Sequence, residues 1–264
     1  MKTTGGTDAQ KRRAGESAAA AVEDGDVVGL GTGSTAAYAI RAIGRAVDSG
    51  LDVRGVPTSF GARALARDHG VPIVELDAVC GPDSPGIDLA IDGADQVVLG
   101  DDSNDGTIDG SATDGSATGE AETDGAGNAS GALIKGGGAA HAREKVVDAA
   151  ADRFLVVVDP SKRTDALDAD VPVEVLPEAR TTAAAAIRDA GGEPALRRAE
   201  RKDGPVVTDN GNLVLDCSFG RIADPDRLAE TLATVPGVLE HGIFVDLADE
   251  IHVGTADGVT VRSV

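Results

Sequence analysis

Short apolar runs separated by stretches of helical spacing fill the first 160 residues. Val27–Leu30, residues 53–56, 73–76 and 87–91, and Phe154–Val158 are apolar-rich runs of four or five residues, the length of buried strands. Between them the spacing turns helical. Residues 8–23 (DAQKRRAGESAAAAVE) and residues 34–47, apolar at 36, 37, 40, 43 and 47, predict two helices. A third enters through Pro57-Thr58-Ser59 and stops at Gly70, and a fourth starts within 139–145. Strands alternating with helices predict an α/β fold on a parallel sheet.

The order changes after about residue 168. VPVEVL, a helix from 177, RRAER, VVTDNGNLVLD, a helix from 225 and GIFVD follow one another. Asn210-Gly211 between two apolar runs is a hairpin signal, because both residues accept positive φ. This predicts a small α+β domain over 169–246. The closing EIHVG and VTVRSV return as a hairpin to the first domain, which then comprises 1–168 plus 247–264. Residues 100–131 fit neither pattern. They hold eight acidic residues, eight glycines and the pentapeptide DGSAT twice in a row, with no Lys or Arg. So little apolar surface cannot offset the entropy of ordering, and an acidic, disordered surface insert is expected there.

Composition narrows the function. There is no Trp, one Tyr and four Phe, so the core must be built from Ala, Val, Leu and Ile. No apolar run approaches the length of a membrane span, and the basic N-terminus lacks the apolar stretch of a signal peptide. Cys80 and Cys217 have no metal-ligand spacing, which points to a reduced, cytoplasmic setting and no metal. The net charge of −21 repels nucleic-acid backbones and resembles that of proteins from salt-rich cytoplasm, where screening relieves self-repulsion.

Four stretches carry candidate chemistry. In GLGTGSTAA a strand runs through glycines into a helix. Gly31, Gly33 and Ala36 fit a dinucleotide fingerprint formally, yet the second strand ends in Pro57-Thr58-Ser59, without the acid that binds ribose hydroxyls. No Lys follows the glycines as a nucleotide P-loop requires. What remains is Thr32, Gly33, Ser34 and Thr35 at a helix N-terminus, a cradle for one phosphate. Asp92-Gly93-Ala94-Asp95 sets two carboxylates three apart after a buried strand, suited to shared acid and base work. Lys135-Gly136-Gly137-Gly138 offers bare backbone donors beside a cation, and Glu144 on the following helix is a candidate general base. Asp159-Pro160-Ser161-Lys162 brings a second Lys to a strand end. His141 has no identifiable partner and is read as structural.

GTGST, DGAD, IKGGGAAHAREKVV, DPSK, VVTDNGN and GTADGV, in this order, closely resemble ribose-5-phosphate isomerase, type A, over nearly the whole chain apart from 100–131. The resemblance implies a Rossmann-like domain plus a smaller ferredoxin-like α+β domain, and assembly as a homodimer or homotetramer. It implies the interconversion of ribose 5-phosphate and ribulose 5-phosphate through an enediolate, with no cofactor and no partner beyond the sugar phosphate. Carried onto this sequence, substrate contacts fall on Thr32–Thr35, Asp92–Asp95, Lys135–Gly138 and Lys162, the general base on Glu144, and a phosphate-side Lys on Lys11. Gln96 stands where the family usually has Glu. A sugar-phosphate sensor of the same fold would need a DNA-binding segment, and the sequence holds no helix-turn-helix or basic patch.

Overall fold

The computed structural model describes residues 5–99 and 130–264, so the insert expected over 100–131 lies, through residue 129, outside the described residues. Helix α1 (Asp8–Ala19) opens at Thr7 with a reciprocal cap: the Thr7 hydroxyl accepts from Gln10 N at 3.3 Å and the Gln10 side chain accepts from Thr7 N at 2.8 Å. There follow β1 (Val27–Leu30), α2 (Ala36–Asp48), β2 (Arg54–Pro57), α3 (Phe60–Asp68), β3 (Leu89–Gly93), β4 (Gln96–Val98), β5 (Leu133–Ile134), α4 (His141–Ala149), β6 (Phe154–Val158) and β7 (Arg163–Thr164). The chain continues through β8 (Val171–Val175), α5 (Arg180–Asp189), β9 (Glu193–Leu196), β10 (Leu213–Ser218), α6 (Pro225–Ala233), β11 (Val238–His241), β12 (Ile243–Phe244), β13 (Glu250–Gly254) and β14 (Val259–Ser263).

One sheet has the order β14-β13-β6-β3-β1-β2, parallel throughout except for the edge strand β14. The chain leaves β1 toward β2 on one side and returns to β3 on the other. This topological switch opens a crevice at the carboxyl ends of β1 and β3, where α/β sheets bind ligands. Small side chains let the helices approach: Ala14 and Ala18 of α1 and Ala36 and Ala39 of α2 are buried with Val28, Leu30 and Ile91. A second sheet, β11-β8-β10-β9, is antiparallel. Its chain order, β8-α5-β9-β10-α6-β11, is the ferredoxin-like βαββαβ arrangement. The fold is therefore α/β, with a Rossmann-like parallel sheet and a smaller ferredoxin-like unit.

Several elements depart from the sequence reading. Residues 73–76 form no strand: Ile73 makes one bridge to Gly55, and the chain then turns into a 3-10 helix at Leu76–Ala78. Pro72 has no N–H for a ladder, and Glu75 is drawn to Arg63 at 2.7 Å. The first helix stops at Ala19, short of 23. The fourth begins at His141, because Ala139 has φ +59, outside helical space. The Asn210-Gly211 turn joins only the single bridge Val207 to Leu213. A third small sheet, β12-β5-β4-β7, was not foreseen. Strand β3 runs two residues further than expected, so Asp92 and Gly93 lie within it.

Candidate active site

The carboxyl ends of β1, β3, β5 and β6 converge on a cavity of about 180 Å³. It is lined by Lys11, Thr32, Gly33, Ser34, Thr35, Gly93, Ala94, Asp95, Lys135, Gly136, Gly137, Gly138, Glu144, Asp159 and Lys162. That volume falls below the several hundred Å³ of drug-sized pockets, so it suits a small ligand and not a dinucleotide. Every residue nominated from the sequence lies on this wall except Asp92; Asp159 joins them.

At one end, Thr35 is the N-cap residue of α2, yet no side chain caps the helix, and Ser34 in particular does not. The N–H groups of Ala37 and Tyr38 already donate to Gly33 O and Thr35 O at 3.0 Å, so what faces the cavity is the Thr32–Thr35 loop just ahead of the helix, at its positive end. The Thr32 hydroxyl is fixed from behind by Thr58 at 2.9 Å and by Ser59 at 2.7 Å. Thr58 and Ser59 are buried polar residues that the sequence reading did not assign to the site.

Asp92, expected to touch ligand, has a fully buried carboxylate that is not on the cavity wall. It lies under the loop because Gly31 has no side chain: a Cβ there would overlap the carboxyl group. Its Oδ1 accepts from Thr32 N at 2.9 Å and Gly93 N at 2.6 Å, and its Oδ2 meets Lys135 Nζ at 2.9 Å. Asp92 therefore ties the phosphate-side loop to Lys135.

Lys135 is 1% exposed. Its ammonium also donates to Gly93 O at 2.6 Å, lies 3.5 Å from Glu144 Oε2 and 3.6 Å from Asp148 Oδ2, and sits over the rings of Phe154 and Phe244. Its proton is held above the ordinary range, because three carboxylates outweigh burial. One cation cannot balance three buried acids. Burial pushes all three upward. Asp92 is best held against it, by Lys135 and two N–H donors. Asp148, with no hydrogen bond to either oxygen among the described residues, is lifted well above the usual range. Glu144 is lifted to about 8, mainly by burial and then by the Asp92 charge, with Lys135 pulling it back. Glu144 and Asp148 share a face of α4, four residues apart.

Asp95 faces the cavity from the other side, its Oδ2 accepting from Gly137 N at 2.6 Å. Gly136 has φ +105, and a Cβ there would come within 2.8 Å of the His141 ring, so this position requires glycine. His141 is fully buried, its Nε2 3.3 Å from Glu240 O, and burial drives it down to about 3, so it stays neutral. Asp159 is buried and accepts from Ser161 N at 2.9 Å, capping the turn that presents Lys162. Gln96 points away from Asp95: its amide donates to Asp168 Oδ1 and accepts from Asp168 N and Ala169 N at 2.9 and 3.0 Å. A Glu could not make the first of these bonds.

A buried carboxylate of raised proton affinity beside a cation, in a small cavity at the strand ends of this fold, fits a sugar-phosphate isomerase. The chain belongs to the ribose 5-phosphate isomerase A (phosphoriboisomerase A) family, whose model matches residues 54–105 and 120–258. It interconverts ribose 5-phosphate and ribulose 5-phosphate. It is 65% identical over 261 residues to ribose-5-phosphate isomerase A of Halorubrum lacusprofundi, covering 99% of both chains. It is 62% identical over 260 residues to that of Haloarcula marismortui, covering 98% of both. These halophilic sources accord with the net charge of −21. Among solved structures, ribose 5-phosphate isomerase A of Methanocaldococcus jannaschii superposes with a TM-score of 0.80 at 38% identity, over 97% of this chain and 98% of that one. A D-ribose-5-phosphate isomerase in complex with phospho-erythronic acid gives 0.82 at 38%, over 98% and 100%.

Proposed function

We propose that Glu144 is the general base, carrying one proton between carbon 2 of ribose 5-phosphate and carbon 1 of ribulose 5-phosphate through an enediolate. The observation that carries this reading is a cavity-lining carboxylate, 4% exposed, whose proton affinity is raised to about 8. Of Lys135 and the Gly136–Gly138 amides, the Gly137 N–H is engaged by Asp95 at 2.6 Å, so Lys135 with the Gly136 and Gly138 amides stabilises the oxyanion. Asp95 moves protons among the sugar oxygens and assists ring opening. Asp92 acts through Lys135. The phosphate sits on Thr32–Thr35 with Lys11 and Lys162, and Gly93 and Ala94 floor the sugar. Holding the phosphate remote from the reacting carbons converts binding energy into their alignment. The route needs acid, base and donors only, so the expected cofactor requirement is none. Incubation with ribose 5-phosphate in high potassium chloride plus a chelator tests this: ribulose 5-phosphate should form, and phosphosugar binding without turnover would overturn the catalytic roles.

The raised Glu144 proton has two consequences of opposite sign. The base acts ionised, so kcat/KM should climb as pH rises through about 8. The same proton is bound by the folded state and released by the unfolded state between the ordinary 4.5 and about 8. Its contribution to stability is therefore complete below 4.5 and is lost as pH rises through about 8. A pH–rate profile flat from neutrality to pH 9 would remove Glu144 from the role. For Lys162→Met, KM should rise about tenfold or more, the loss of one charge-assisted hydrogen bond, with kcat changed less. An unchanged KM would take Lys162 out of the phosphate site.

Setting and assembly are proposed from the composition and the family resemblance. The enzyme works in the cytoplasm as a homodimer or homotetramer, with residues 169–246 as the small domain against 1–168 plus 247–264. Among the described residues no helix is long and apolar enough to cross a membrane.

A further inference from the structure

We propose that Arg197 is a positioning residue for the triple-glycine loop, its guanidinium fixing from behind the two peptides whose N–H groups hold Asp95 and face the cavity, those of Gly137 and Gly138. This rests on the reading that Asp95 moves protons among the sugar oxygens and that the Gly138 amide helps to stabilise the enediolate oxyanion. Arg197 follows β9 in the ferredoxin-like sheet and does not line the cavity. Its Nη1 donates to Gly136 O at 2.8 Å and lies 3.4 Å from Gly137 O. The rest of the group is locked onto Asp216 of β10: Nε donates to both carboxylate oxygens, at 3.1 and 2.9 Å, and Nη2 donates to Oδ1. Asp216 pairs in register with Ala195, two residues before Arg197, so the carboxylate is delivered by the sheet itself.

Peptide planarity transmits the contact. In a trans peptide the C=O and the next N–H point in opposite directions. With Gly136 O turned toward Arg197, Gly137 N–H must leave on the other side, and it does, donating to Asp95 Oδ2 at 2.6 Å. Gly137 O stands in the same relation to Gly138 N–H. Three glycines in a row have the widest conformational freedom of any tripeptide and no side chains to restrain it. Within the loop Gly136 O accepts only the turn bond from Ala139 N at 2.9 Å, and the fork of Arg197 adds a restraint from a second unit of the fold, reaching Gly137 O as well. A Lys at 197 could meet Asp216 or a carbonyl but lacks the planar fork that holds both.

The phosphate cradle at Thr32–Thr35 is built on β1 and α2, away from this contact, so the two halves of the site should separate. In Arg197→Met, kcat should fall about 10- to 100-fold, the scale of an ångström-sized misplacement. Arg197→Lys should recover only part of it. Competitive inhibition by inorganic phosphate should stay within about threefold of wild type, while phospho-erythronic acid, whose carboxylate carries charge at the reacting carbons, should bind at least about tenfold more weakly. Arg197→Met/Asp216→Leu, which removes the stranded carboxylate, should regain melting temperature without regaining kcat. A wild-type kcat in Arg197→Met overturns the proposal. So does equal weakening of inorganic phosphate and phospho-erythronic acid, or recovery of kcat together with melting temperature in the double variant. If wild type binds phospho-erythronic acid no tighter than inorganic phosphate, the oxyanion reading beneath the proposal fails instead.

Discussion

Glu144→Gln is expected to lower kcat by about 10²- to 10⁴-fold, the range for a lost general base, while KM for ribose 5-phosphate stays within a few fold. Gln is nearly isosteric with the protonated acid, so the Lys135–Asp92 pair at 2.9 Å should survive. The fold should survive with it, and the variant should be relatively more stable than wild type above pH 8, where wild type must bury a second anion beside Asp92. Single-turnover conversion of ribose 5-phosphate, with melting temperature measured in parallel, checks both. Turnover within about tenfold of wild type would place the base elsewhere.

Lys135→Met should be the most damaging substitution overall, because it fails in two independent ways. It leaves Asp92, Glu144 and Asp148 buried around no cation, and breaking a buried pair costs about 3–5 kcal/mol. The acids can lessen that cost only by taking up protons. That drives Glu144 further above 8, so the ionised base, already the minor form at neutral pH, becomes scarcer as the oxyanion loses its partner. Melting temperature and kcat at pH 7 and pH 9.5 separate the two effects: the stability loss should be smaller at low pH, and raising the pH should not restore turnover. A variant as stable as wild type would mean that the three carboxylates do not depend on this ammonium.

Much of the site was legible because three of its loops follow a buried strand, GTGST after β1, DGAD at the end of β3 and DPSK after β6, while KGGG shows in its glycines alone. Apolar runs that end in glycine or hydroxyl residues announce themselves. Other parts had no such signature. β5, β7 and β12 have two residues each, too few for any period to register. Asp92 and Asp95 look equivalent in sequence. Only the extension of β3 and the missing side chain at Gly31 put one beneath the floor and leave the other facing the cavity. Asp148 and Arg197 were not nominated. A lone Asp on a helix and an Arg in RRAER carry no motif, and their importance comes from what packs against them.

The Thr32–Thr35 loop ahead of α2 bears on how this enzyme can work in brine. At molar salt the Debye length is about 3 Å, so lysines cannot draw a phosphate in from a distance, least of all through the field of a protein carrying a net charge of −21. Backbone N–H groups operate at contact, where mobile ions have no room to intervene. Donors in contact with the anion lose less to screening than charges acting at a distance, so such a grip tolerates an exterior loaded with carboxylates.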